Sequence, residues 1–215
     1  ENAAVKKNIS FLKNKIDFIS PNMIEGKAKA SEPEEVLEYV LKKFGLSPKL
    51  HGKKILMTAG PTIEQIDPIR AITNLSSGKT GVSLAKELVS AGAKVTFVYG
   101  PGSEKPPKGA KIINVMTSKE MYNSVKKELK NKFDVVIMAA AISDYIPTNP
   151  SKKKIKSSKS SITINLKKSP KIIDEVKKLQ KDVILIGFKA ETNVTNAQLI
   201  KSAKRKLKES SSDLI

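Results

Sequence analysis

The spacing of apolar positions changes character near residue 50. Before it, Ala4, Val5, Ile9, Leu12 and Ile16 recur near helical spacing, and residues 21–29 read as a loop. Ser31-Glu32-Pro33-Glu34-Glu35 predicts a second helix start, with Ser31 as N-cap, Pro33 in the first turn and acids at the positive end. Val36, Leu37, Tyr39, Val40, Leu41 and Phe44 give that helix its apolar face, and Gly45 ends it. After Lys53 the apolar residues gather in short runs at 54–59, 94–99, 111–115, 134–141 and 182–188. Between them lie helical patterns at 78–90, 118–131, 170–180 and 197–209. Uninterrupted apolar strands alternating with helices predict a sheet covered on both faces. The expected fold class is therefore α/β: a doubly wound, Rossmann-like, mainly parallel sheet with strand order 3-2-1-4 in its first half. Residues 149–161, rich in lysine and serine and without periodicity, predict a flexible lysine-rich flap. Residues 161–166 alternate like a strand. Asp213-Leu214-Ile215 reads as a further strand beginning, so the expectation is a first segment at 1–45 and a domain at 46–215 truncated at its C-terminus.

Composition narrows the chemistry. The 215 residues contain no cysteine and one histidine, His51, which excludes thiolate metal sites and makes a His-based zinc site or a Ser-His-Asp triad hard to build. No run approaches the roughly 18 apolar residues of a membrane span, and no signal peptide opens the chain, so a cytoplasmic protein without a membrane partner is expected. The 40 Lys+Arg against 21 Asp+Glu give a formal charge of +19. Nucleic acid is the obvious partner for such a chain. Only Arg70 and Arg205 are arginines, however, and aromatics are 5% of the residues, so the fork and stacking chemistry of nucleic-acid readers is missing. The expectation is general lysine enrichment with a site for anionic ligands and no nucleic-acid partner.

Ligands of open α/β sheets bind outside the carboxyl ends of the strands. Thr58-Ala59-Gly60-Pro61-Thr62 can offer backbone N–H groups to an anion at Gly60, or be an ordinary strand-to-loop turn. Asp67-Pro68-Ile69-Arg70 and Asn74-Leu75-Ser76-Ser77-Gly78-Lys79-Thr80-Gly81 precede a helix whose N-terminus favours phosphate or carboxylate, while plain N-capping by Ser76 or Ser77 is the alternative. In Ala139-Ala140-Ala141-Ile142-Ser143-Asp144-Tyr145, small residues admit a flat ligand, and Asp144 can hold magnesium, hold a sugar hydroxyl or cap a turn. Lys152-Lys153-Lys154-Ile155-Lys156 is either a solvated charge run or a loop that closes on a polyphosphate. Gly187-Phe188-Lys189-Ala190-Glu191-Thr192 places an aromatic at another strand end, for a base or for the core.

In this order, over about residues 53–215, these segments resemble the phosphopantothenate–cysteine ligases of coenzyme A biosynthesis. Ala4-Val5-Lys6-Lys7-Asn8-Ile9 and Gly26-Lys27-Ala28-Lys29-Ala30-Ser31-Glu32-Pro33 resemble instead the C-terminal tail of a phosphopantothenoylcysteine decarboxylase. That order is similar to the bifunctional decarboxylase/ligases of bacteria and archaea, whose FMN-binding part would precede this tail. The resemblance implies ligation of 4′-phosphopantothenate to L-cysteine through an acyl-cytidylate, with CTP as co-substrate, Mg2+ as cofactor, and a homodimer or higher oligomer. It implies Asn74 as the residue handling the intermediate and Lys154 as the flap lysine on the phosphates. Arg70, Ser76 and Ser77 fall in the substrate-binding motif, and Gly60 in the nucleotide-binding one. Met138, Ala139 and Ala140 match backbone contacts to the nucleotide, and Asp144 the acid beside it, which is also the candidate metal ligand. Lys167, Lys168, Ser169, Pro170, Lys171, Ile172 and Ile173 match a nucleotide-recognising segment, Phe188 a base-side aromatic and Lys206 a phosphate-binding lysine. Ser169 stands where the family has Asn; Ser157 and Ser210 stand where it commonly has Lys.

Overall fold

The computed structural model describes residues 3–12, 22–24, 27–29, 36, 39, 40, 43, 49–158 and 160–215. The chain divides into two units, Glu1–Lys49 and Leu50–Ile215. In the first, Ala3–Leu12 is a helix, and β1 (Asn22–Ile24) pairs antiparallel with β2 (Lys27–Lys29), Met23 opposite Ala28. The loop expected at 21–29 is thus a hairpin where it is described. Val36, Tyr39, Val40 and Lys43 are helical. Ile16, the Ser31 cap, Pro33 and the Gly45 stop lie outside the described residues.

The second unit is built on five parallel strands: β3 (Lys54–Ala59), β6 (Lys94–Tyr99), β7 (Lys111–Asn114), β8 (Val135–Met138) and β11 (Ile184–Gly187). Their spatial order is β11-β8-β3-β6-β7, which contains the expected 3-2-1-4. Along β3 the side chains alternate between two cores. Ile55 and Met57 pack with Val82, Ala85 and Phe97 on one face. Leu56 packs with Val98, Met121, Val125, Val136, Val176 and Leu185 on the other. With both faces covered, nearly every position is apolar, with only threonines such as Thr58 and Thr96 as buried polar exceptions, which is why the strands read as near-continuous runs.

The Lys79–Ser90 helix covers the first face. It lies close to the sheet because Gly81 carries no side chain: a Cβ there would stand 2.3 Å from the Cβ of Ala59. Ser118–Glu128 and Ile173–Leu179 cover the second face. Thr117 caps the former by accepting from Glu120 N at 3.1 Å, and Glu120 reaches back to Met116 N at 2.7 Å, a reciprocal start. The last helix, Asn196–Ser210, opens on a capping box of Thr195 and Gln198.

Several expectations need correction. The 118–131 helix ends in a 3₁₀ turn, Leu129–Asn131. The strand expected at 134–141 stops at Met138, although Ala141 still bridges Pro61. Residues 161–165 form no strand; the pairing lies at β10 (Leu166–Lys168), antiparallel to β9 (Tyr145–Pro147). Ile162 and Ile164 are exposed, so their alternation has no core to face. The helix expected at 170–180 begins only at Ile173, leaving 169–172 as irregular chain. The hairpin of β4 (Ile63–Gln65) and β5 (Ala71–Thr73) went unpredicted. At the other end Leu214 bridges Ile186 in parallel, so the expected final strand is present as a single bridge. Among the described residues no helix is long and apolar enough to cross a membrane.

Candidate functional site

The sheet changes direction of winding between β3 and β8, and a cleft of about 510 Å³ opens near the carboxyl ends of β8 and β11. Five stretches of chain converge on it. The loop after β5 supplies Asn74 and Ser76, and the segment after β8 supplies Ala140 and Asp144 beside Met138 itself. The irregular chain before the Ile173–Leu179 helix supplies Ser169, Pro170, Lys171 and Ile172, with Ile173. The β11 end and the last helix supply Phe188 and Lys206. Residues from Asn74 to Lys206 are thereby brought into one hollow.

Local geometry sets what each can do. Asn74 Nδ2 donates to Ala141 O at 3.0 Å and Ile142 O at 3.1 Å, so both amide protons are engaged by the protein and Oδ1 is the atom left to accept. Ser76 Oγ accepts from Gly78 N at 3.3 Å and Ser77 Oγ from Lys79 N at 3.2 Å; these are the local turn bonds of a helix entry. Asp144 is exposed, its backbone carbonyl accepts from Ser169 N at 2.8 Å, and this bond ties two walls of the cleft together. The Ser169 hydroxyl oxygen is buried without a hydrogen-bond partner. Phe188 is 52% exposed, which removes the core alternative for it. Lys206 Nζ pairs with Asp174 Oδ1 at 2.6 Å, which holds the lysine in place at the cleft.

Other expected residues lie elsewhere. Gly60 is buried with φ +77°, and a Cβ there would meet Gly100 O at 2.7 Å; close approach of two strand-end loops accounts for the glycine without a ligand. Ala139 N donates to Thr58 O at 3.1 Å, in the sheet ladder. Arg70 donates to Asp67 Oδ2 at 2.9 Å and to Ile155 O at 3.1 Å. Lys154 is exposed on the loop containing Ile155, and Lys167 and Lys168 are exposed on β10. None of Gly60, Arg70, Ser77, Ala139, Lys154, Lys167 and Lys168 lines the cleft.

Residues not singled out in the sequence also matter. Lys189 lines the cleft and pairs with Glu191 at 3.1 Å. Hydrogen bonds from Ser202 and Lys189 hold the Glu191 carboxyl below the ordinary carboxylate range. Asp174 orients Lys206, and no spacing rule links positions 32 apart. Among the described residues no group of three or more His, Cys, Asp or Glu gathers as a metal cage. The arrangement places Lys171, Lys189 and Lys206 and several hydrogen-bonding groups along the cleft, with neither thiol nor imidazole lining it to act as a nucleophile.

Residues 50–215 match the family described as DNA/pantothenate metabolism flavoprotein C-terminal domain. The chain is 46% identical over 214 residues to the coenzyme A biosynthesis bifunctional protein CoaBC of Thermococcus kodakarensis, covering 98% of this chain and 52% of that protein. It is 42% identical over 206 residues to the protein of the same name from Methanocaldococcus jannaschii, covering 95% of this chain and 50% of that one. The chain thus spans about half the length of these curated relatives. The crystal structure of the C-terminal domain of a CoaBC protein superimposes with a TM-score of 0.66 at 36% identity, over 78% of each chain.

Proposed function

The chain belongs to the family of the DNA/pantothenate metabolism flavoprotein C-terminal domain, and from that premise we propose that it ligates 4′-phosphopantothenate to L-cysteine in coenzyme A biosynthesis, with CTP as the activating nucleotide. The carrying observation is the convergence of Asn74, Asp144, Ser169, Phe188 and Lys206 on one cleft at the switch between β3 and β8. In the proposed reaction the substrate carboxylate attacks the α-phosphate of CTP and pyrophosphate leaves. The cysteine amine then attacks the acyl carbon of the acyl-cytidylate, CMP departs and the amine loses a proton. No covalent nucleophile from the protein is required, which suits a cleft without thiol or imidazole.

The residues divide the work by their chemistry. Lys171, Lys189 and Lys206 supply cationic groups for phosphates, and Lys154 adds a charge from the flap. Phe188 gives an exposed aromatic face for a base. The buried hydroxyl of Ser169, which has no partner among the described residues, has hydrogen-bonding capacity for a ligand group. A magnesium site built on one carboxylate plus substrate phosphates fits Asp144, because Mg2+ is ordinarily held that way and not by an all-protein cage. Bound there, the ion supplies Lewis-acid stabilisation of phosphate charge. On this reading the protein is cytoplasmic and a homodimer or higher oligomer. Residues 1–45 are read as the tail of a decarboxylase domain whose FMN chemistry lies outside this sequence, followed by the ligase domain from residue 46. The test is pyrophosphate release with 4′-phosphopantothenate, comparing CTP with ATP and adding or omitting cysteine. Release that ignores phosphopantothenate overturns the reading; release with ATP alone overturns the nucleotide assignment.

A further inference from the structure

The hairpin of β4 and β5 has at its tip a carboxylate with no exposed surface, Asp67. Its two oxygens do different jobs. Oδ1 accepts from Ile69 N at 2.8 Å and Arg70 N at 2.7 Å, which closes the turn on itself. Oδ2 accepts from the Arg70 guanidinium at 2.9 Å and from Ile155 N at 3.1 Å, 88 positions away in the lysine flap. Arg70 completes the clasp by donating to Ile155 O at 3.1 Å. Both polar groups of the Ile155 backbone are therefore held by one acid–base pair. Ser151 N adds a bond to Ile66 O at 2.8 Å. The Ile155 side chain is half-buried over a small hollow shared with Ile66, Pro147 and Ile164, while Lys154 and Lys156 on either side are exposed. The same hairpin runs through β5 directly into Asn74 in the cleft.

We propose that Asp67 is a positioning residue: with Arg70 it latches the flap by the backbone of Ile155, and so fixes where Lys154 stands relative to the Asn74 loop. A buried ionised acid is costly unless its oxygens are filled by donors. Here the second oxygen is filled from the flap, so releasing the flap leaves Asp67 and Arg70 short of a partner. The flap is thus anchored at Ile155 and presents its lysines from a fixed point. The inference rests on the ligase reading for the meaning of Lys154, but the latch itself does not.

Asp67→Asn is the selective perturbation. Its amide oxygen can still serve Ile69 and Arg70 in the turn, whereas its NH₂ would face the Ile155 N–H and the guanidinium, donor against donors. In the full-length protein, hydrogen exchange at residues 151–158 should accelerate by about 10- to 100-fold, the size of losing one hydrogen bond to a charged group. Single-turnover formation of the acyl-nucleotide from CTP and 4′-phosphopantothenate should slow by a similar factor. In a Lys154→Gln background, adding Asp67→Asn should slow it no further, because the acid acts through that lysine. Ile155→Ala leaves Asp67 intact and weakens the anchor from the flap side; it should accelerate the same exchange, and it decides the matter if Asp67→Asn does not fold. Unchanged exchange in the folded variants overturns the latch. Accelerated exchange with an equal rate loss in both backgrounds overturns the action through Lys154. If the unaltered protein makes no acyl-nucleotide at all, the ligase reading fails, and the exchange measurements still decide the latch.

Discussion

Replacing Asn74 by Asp should separate the two half-reactions of the proposed ligation, and the hydrogen bonds of its side chain set the size of the effect. The side-chain amide makes two hydrogen bonds to the chain after β8, at 3.0 and 3.1 Å to the carbonyls of Ala141 and Ile142. At about 0.5–1.5 kcal/mol net for each neutral bond, the pair holds the two walls of the cleft together by roughly 1–3 kcal/mol. If that hold is needed in full only at one transition state, its loss slows that step by roughly 5- to 150-fold. Aspartate does more than delete the bonds. It sets a carboxylate against two carbonyl oxygens, and in the proposed reaction it would place negative charge where an oxyanion grows as cysteine attacks the acyl carbon. Asn74→Asp should therefore form acyl-cytidylate and pass it on poorly, while Asn74→Ala should lose only the smaller factor. Lys154→Gln should instead slow formation, commonly by ~10²–10³, since a full charge matters most while pyrophosphate leaves. The assay is a single turnover with labelled CTP, quenched and resolved into CTP, acyl-cytidylate and CMP. Accumulation of intermediate in Lys154→Gln but not in Asn74→Asp reverses the roles. No change in either step removes both residues from the reaction.

Three further outcomes are expected. Gly81→Ala forces a Cβ to within 2.3 Å of Ala59 on β3; overpacking of about 1–3 kcal/mol should outweigh the roughly 1 kcal/mol gain in helix propensity and lower Tm in a thermal melt, and an unchanged or higher Tm would show that the helix simply rides outward. A hydrogen bond from Lys177 and another from Leu185 N hold the Asp213 carboxyl below its ordinary range, so this C-terminal pin contributes stability above about pH 4 and loses it as pH falls through the lowered value. The stability difference between the unaltered protein and Lys177→Met in urea should accordingly shrink from pH 6 to pH 2.5, and a constant difference would refute the linkage. Duplex DNA at physiological salt should bind no tighter than the non-specific range of roughly 10⁻⁴–10⁻⁶ M, because the +19 charge carries few arginines and few aromatics; nanomolar binding by fluorescence anisotropy would contradict this.

What the amino-acid order determines by itself is local and periodic. The runs at Lys54–Ala59 and Lys94–Tyr99 declare buried parallel strands because a sheet covered on both faces tolerates no polar face, and the alternation with helices then points to a doubly wound sheet, whose first four strands take the expected order. The motif segments were legible for a similar reason: glycine, serine and small residues after apolar runs mark strand ends, where ligands gather. Tertiary structure decided the rest. Strands of three residues, such as β4, β5 and β9, are too short to show a period, so only their partners reveal them. Ile162 and Ile164 alternate correctly and form no strand, because exposure, not pattern, decides whether alternation is used. The Asp67-Pro68-Ile69-Arg70 motif announced itself as chemistry, yet its carboxylate is held by Ile155, and the Asn74 amide protons by Ala141 and Ile142. Those bonds join positions 67 to 88 residues apart in the chain. A side chain's donors and acceptors are written in its residue type, but which of them remain free for a ligand depends on neighbours that only the folded chain brings within hydrogen-bonding distance.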